Sequence, residues 1–229
     1  MPHYSPILAA VTGGFEVAAA VYALTGPGRK TVKVLAGTIF ILLAGYQFAE
    51  IAVCMKPEVL WLSRLAYFVI AWMPPVVLRL VVVTDARRNR ALRVLSLIDF
   101  GAAAGLCAWI VADPACITRS VCQVVTARFF PSAAFDIAFG VFFQTGLVLI
   151  VFSSGILMAS SADERARKHL ANLQLGVLGF MLPALAVRVL ISEPEGLIPS
   201  VMCHFALIFA ASLAALVVRE RRLAGRASG

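Results

Sequence analysis

Seven apolar runs, each about 20 residues long, follow one another along the chain with short polar breaks between them: 6–25, 34–54, 60–83, 94–112, 133–158, 171–191 and 198–218. About 20 apolar residues in a helix cross the hydrocarbon layer of a bilayer. Lipid offers no partners for backbone polar groups, so only helices and closed barrels span it. Barrel strands alternate apolar and polar positions over about 10 residues, and these runs do not alternate. The pattern therefore predicts an all-α fold, a seven-transmembrane-helix bundle that forms one integral membrane domain over residues 1–229. Short breaks predict that consecutive spans pack as antiparallel hairpins. The exception is 113–132, DPACITRSVCQVVTARFFPS, which is long enough for a short interfacial helix, a lid or a plain crossing loop. Pro74-Pro75 predicts a kink in the third span, because proline removes a backbone donor and crowds the preceding turn. Gly176, Gly179 and Pro183 mark a small-residue face on the sixth span, suited to close helix packing.

Charge then orients the bundle. The net charge of +8 raises nucleic acid as a partner, but the placement of the twenty basic residues excludes it. Fourteen lie in alternate breaks and after the last span: Arg29, Lys30, Lys33, Arg87, Arg88, Arg90, Arg93, Arg165, Arg167, Lys168, Arg219, Arg221, Arg222 and Arg226. The opposite breaks hold Lys56, Arg119 and Arg128, and Arg64, Arg79 and Arg188 fall inside spans. Basic residues favour the cytoplasmic side of short loops. The expected topology is N-terminus outside and C-terminus cytoplasmic, in the inner membrane of a cell. The basic side also suits the anionic lipid surface. MPHYSPILAA lacks a basic n-region, so the first span is expected to be a retained helix rather than a cleaved signal.

Charges inside spans are costly and mark interior or water-filled sites. Glu50, Arg64, Asp136, Arg188 and His204 each lie one to two turns from the outer end of a different span, within roughly 10 Å of the interface at 1.5 Å per residue. Gln47, Glu50 and Cys54 share one helix face at spacing i, i+3, i+7, and Asp136, Gly140 and Gln144 another. The expected ligand site is therefore Gln47, Glu50, Arg64, Asp136, Arg188 and His204. Ion pairing of Glu50 with Arg64 and of Asp136 with Arg188 is the purely structural alternative. Glu16 extends this layer toward the midplane. Arg79 and Asp99, each near the inner ends of adjacent spans, are expected to form a structural ion pair.

Four cysteines, Cys54, Cys116, Cys122 and Cys203, fall on the expected outer side, where disulfides form. Their three possible pairings stay open; Cys116–Cys122 would close a small loop, and Cys54–Cys203 would tie the second span to the seventh. A dithiol enzyme or a metal site with His204 are the reactive alternatives, but there is no CxxC, and the histidines are only His3, His169 and His204. No metal and no cofactor is implied. The seventh span has no lysine, which excludes a retinal Schiff base, and HExxH, GxSxG and P-loop motifs are absent. Asp163 and Glu164 read as a solvated loop, and the residues from Arg219 onward as a tail.

GYQFAEIAVC at 45–54, a tryptophan- and arginine-containing third span and SVMCHFA at 200–206 resemble a family of small bacterial multi-pass membrane proteins with no assigned activity. Gln47 and Glu50 match its pattern. Tyr46 stands where that family has a second glutamine, Met202 where it has tryptophan, and its N-terminal cysteine motif is missing. WLSRLAYFVIAWMPP at 61–75 is loosely similar to seven-helix sensor regions of bacterial histidine kinases. The resemblance implies emphasis on Gln47, Glu50 and Cys203. The expected function is a sensor or ligand-binding membrane protein, not an enzyme, with the lipid bilayer around it and a protein partner in the membrane or cytoplasm. A small transporter is the first alternative, and a membrane enzyme using the outer thiols the second.

Overall fold

The computed structural model describes residues 6–84, 89–122, 127–190 and 198–228, with side chains left undescribed at 184, 187–190, 198–204 and 226–228. Helices dominate: α1 (Ile7–Thr25), α2 (Lys30–Met55), α3 (Leu60–Ala71), α4 (Met73–Thr84), α5 (Arg90–Ala112), α6 (Ala133–Ser160), α7 (Glu164–Leu190) and α8 (Ile198–Ser228). Taken with α3 and α4 as one interrupted rod, Leu60–Thr84, five of these are long and apolar enough to cross a membrane. Of the other two expected spans, 171–191 ends on a residue outside the described set, and 198–218 begins with residues whose side chains are not described.

The break in that rod is chemical in origin. Pro74 and Pro75 cannot donate to the carbonyls four residues back, so helical bonding lapses there. The chain bridges the gap at Trp72, whose N–H reaches Val69 O at 3.4 Å, and resumes with Val76 N on Trp72 O at 3.3 Å. The rod is also the core of the bundle: 72% of its apolar window is buried, against 28% for α1 and 33% for α5. The exposed stripe Ile137, Val141, Val148, Phe152 and Ile156 on α6 marks a lipid-type face instead.

Small residues set the closest helix contacts. A Cβ on Gly176 of α7 would lie 2.9 Å from both Phe209 and Ser212 of α8. One on Gly146 of α6 would lie 2.5 Å from Pro74 of α4. Glycine lets each pair of axes approach.

Segment 113–132 is neither helix nor plain loop. After a 3₁₀ turn at Pro114–Cys116 it forms β1 (Ile117–Cys122) and β2 (Ala127–Pro131), antiparallel, with an irregular step between Ile117 and Arg119. Asp113 caps the entry by accepting Ala115 N–H at 2.9 Å and the Trp109 indole N–H at 3.2 Å. Alternation along a strand sends Ala127 and Phe129 inward and leaves Arg128 and Phe130 half-buried. Phe129 joins Phe135 and Phe139 of α6 around the edge of Tyr67, with ring centroids 4.8–5.6 Å from it. The hairpin thus closes one end of the bundle, called here the hairpin end; the opposite, arginine-rich end is the basic end.

Candidate functional site

At the hairpin end, two residues of α2 hold the hairpin. Cys54 forms a disulfide with Cys122, Cα to Cα 5.5 Å. Glu50, 2% exposed, accepts the Ala127 backbone N–H at 3.0 Å. The geometry explains why these two positions work together. Cys122 and Ala127 stand directly opposite each other across the hairpin. Cys54 and Glu50 are four residues apart on one helix face, about 6 Å along the axis. That spacing matches the roughly 5 Å between paired strand residues, so one turn of helix grips one rung of ladder. Ser120 adds a third tie by donating to Pro57 O at 3.0 Å.

The polar stripe on α2 is therefore in large part an anchor. Gln47, 3% exposed, lies deeper, with its Cβ 3.3 Å from where Gly13 of α1 would carry one. Arg64 is half-buried on α3 with its Nε enclosed and lacking a hydrogen-bond partner among the described residues. Its charge reaches Cys116, whose thiol burial pushes up, with Asp113 adding to the effect and Arg64 opposing it. Asp136 sits in the first turn of α6, exposed, with its N–H on Ser132 O. The side chains of Arg188, Cys203 and His204 lie outside the described residues. The two cysteine pairings singled out from sequence, Cys116–Cys122 and Cys54–Cys203, give way to Cys54–Cys122; Cys116 is a buried free thiol, as is Cys107. Inward pleating of the hairpin delivers Cys122 to α2, while Cys116 turns into the core before β1 begins.

The expected Arg79–Asp99 pair does not form among the described residues. Every residue of α4 from Met73 to Val82 is buried except Arg79, which shares its open face with Val83 one turn on. Asp99 instead faces inward, near Gly146 and Pro74, and its Oδ2 is buried without a hydrogen-bond partner among the described residues. Helix phase keeps the two charges apart. Glu16 on α1 is fully buried, and neither carboxyl oxygen has a hydrogen-bond partner among the described residues.

The basic end holds a cluster that the sequence reading missed. α8 continues through the expected tail to Ser228, which carries Glu220 into the bundle. Glu220 Oε1 accepts the Arg29 backbone N–H at 2.9 Å, Arg29 Nε at 3.1 Å and Arg165 Nη2 at 2.7 Å. His169, 1% exposed, lies with Nε2 3.8 Å from Glu220 Oε2. Burial alone would raise the Glu220 carboxyl; the hydrogen bonds from Arg165 and Arg29 override it and hold the group at about 2. Burial drives His169 down to about 4, with Arg29, Arg165 and Arg219 acting in the same direction and Glu220 against it. Beside this cluster the Arg221 guanidinium lies 3.6 Å over the Tyr22 ring and donates to Tyr22 O. It occupies the space a side chain on Gly26 would need. The available sequence signal was a lone acid inside the basic run Arg219-Glu220-Arg221-Arg222 and the i, i+4 pair Arg165 and His169.

Two small cavities lie deeper, each with about 10 Å³ of room, enough for one water. One, lined by Tyr46, Gln47, Ile70, Met73 and Phe143 among others, touches the inner edge of the polar stripe and the helix break. The other, at Pro74, Phe143, Phe180 and Phe209, is apolar throughout. No protein-family model matches the chain, and no curated protein sequence matches it.

Proposed function

We propose that this is a seven-span integral membrane protein of sensor or ligand-binding type, with the hairpin end outside, the basic end in the cytoplasm, and a protein partner that receives its signal. The observation that carries this reading is the double grip of α2 on the hairpin. A short hairpin fastened to α2 by both a disulfide and a buried carboxylate lies at the end where we place the site, formed from Gln47, Glu50, Arg64, Asp136, Arg188 and His204. Among the described residues, α2, α3 and α6 contribute Glu50, Arg64 and Asp136 near one end, and the hairpin and α2 are fixed relative to each other there. The orientation rests on the distribution of lysine and arginine, and on the oxidised Cys54–Cys122 pair, which suits a compartment outside the cytoplasm.

The test is a thermal-unfolding screen of purified protein in detergent against small carboxylates, phosphates and organic cations, run in parallel on Arg64→Gln. A stabilising class that the variant no longer recognises supports the binding site. Uptake into proteoliposomes without such a class favours the small transporter, which gains support from the break at Trp72 and from carboxyl oxygens of Glu16 and Asp99 that have no partner among the described residues. A membrane enzyme using the outer thiols is weaker, since burial raises the Cys116 thiol away from the reactive thiolate.

A further inference from the structure

Glu16 is an ionisable side chain with 0% exposure on α1, the least buried of the five membrane-length helices. Its neighbours on the same face are Thr12, Gly13, Ala20 and Ala23, so α1 meets α2 through small residues. The contacts Gly13 with Gln47 and Leu24 with Gly37 put α1 and α2 antiparallel and place Glu16 opposite the stretch around Ala44. On α2 the titratable groups lie away from that level: Lys30 and Lys33 toward the basic end, Tyr46 a short step and Glu50 about 9 Å toward the hairpin end at 1.5 Å per residue. On α8, which touches α1 through Arg221 at Tyr22 and Thr25, the described stretch 205–218 carries no titratable residue.

Neither carboxyl oxygen of Glu16 has a hydrogen-bond or ion-pair partner among the described residues, and buried charges that lack both are avoided by taking up a proton. With the proton bound, the side chain is neutral and fits the apolar contact. We propose that Glu16 is an intramembrane proton-binding site, filled while α1 is packed on α2 and emptied only when that contact opens to water. This goes beyond the ligand reading of the hairpin end and does not depend on it. It supplies a proton-linked movement of α1.

Dicyclohexylcarbodiimide, an apolar reagent, tests this in membrane vesicles. The acid O–H adds across one C=N bond, and the resulting O-acylisourea rearranges to an N-acylurea with no atom lost, leaving one reagent mass on the residue. Peptide mass spectrometry should find Glu16 modified at pH 7.5, and the water-exposed Glu164 at least tenfold less. Absence of the adduct on Glu16, or labelling that appears only below pH 5 as for an exposed carboxyl, overturns the proposal. Protection of Glu16 by sodium at constant pH overturns it as well, because the occupant would then be a metal cation. Glu16→Gln should fold, lose the adduct and melt at or above the wild-type temperature. Between pH 5 and 9 the wild type should lose several degrees more than Glu16→Gln; equal losses contradict the site.

Discussion

The two ends of the bundle solve one problem in two ways. At each, a buried carboxylate on a long helix holds the backbone N–H of a connecting segment: Glu50 holds Ala127 at 3.0 Å, and Glu220 holds Arg29 at 2.9 Å. At the hairpin end a covalent bond shares the task and the carboxylate holds an uncharged backbone amide. At the basic end two guanidiniums share it and nothing covalent does. The lesson is that fastening at the hairpin end should respond to reductant, and fastening at the basic end to acid.

The largest effect should come from Glu220. Glu220→Ala strands Arg29 and Arg165 and frees the α1–α2 turn from α8. Breaking a buried pair costs about 3–5 kcal/mol. With Arg29 40% and Arg165 33% exposed, solvent screens part of this, and about 2–3 kcal/mol is expected. Thermal unfolding in detergent measures it; a change below about 0.5 kcal/mol, as for an ordinary surface substitution, would remove the cluster from the account.

Cys54→Ser is next. The bridge joins positions 68 residues apart, and loops of that size gain about 2–4 kcal/mol from a disulfide when unfolded-chain entropy dominates. A helical bundle held in detergent retains much of its structure on unfolding, so the lower part of that range is expected. Dithiothreitol should lower the melting temperature of the wild type and leave Cys54→Ser unchanged. A reductant effect of the same size in the variant would contradict the clamp.

Glu50→Gln should do less. The amide oxygen still accepts from Ala127, so the charge-assisted part of that bond is lost, about 1 kcal/mol. Glu50→Leu leaves that N–H without its acceptor and should cost about 1–2 kcal/mol more than Glu50→Gln does through that bond, within the roughly 1–3 kcal/mol of a stranded donor. Equal effects of the two substitutions would show that hydrogen bonding to Ala127 does not matter.

Acid should act on the basic end in two steps. His169 is held near 4, below its free value of 6.5, so the unfolded chain binds the proton more readily and stability falls as pH drops from about 6.5 to 4. Glu220 is held near 2, below 4.5, and its contribution, present above 4.5, is lost as pH falls toward 2. His169→Phe should flatten only the upper step. An unchanged profile between pH 4 and 6.5 would show that His169 is not the titrating group.

How much of this is readable from sequence follows from what each feature depends on. Apolar runs encode the helices directly, and Pro74-Pro75 encodes the break, because both are local. Glu50 and Cys54 are visible as a stripe, since helical spacing alone aligns them. Their partners are not: the hairpin residues are short, mixed strands in a stretch equally suited to an interfacial helix, and only the register that pairs Cys122 with Ala127 reveals the grip. Arg79 and Asp99 match in depth but not in phase about their helix axes, a distinction that depth along a span cannot register. Glu220 escaped notice because a run of arginines resembles a solvated tail, whereas the helix continues and turns its one acid inward.

The double grip on the hairpin is tested most directly by disulfide mapping of the protein taken from native membranes. Free thiols are alkylated first, the protein is digested without reductant, and linked peptides are identified by mass. The account predicts a Cys54–Cys122 linked pair, with Cys107 and Cys116 recovered as alkylated thiols once the protein is unfolded. A Cys116–Cys122 link, or full alkylation of both Cys54 and Cys122, would contradict it.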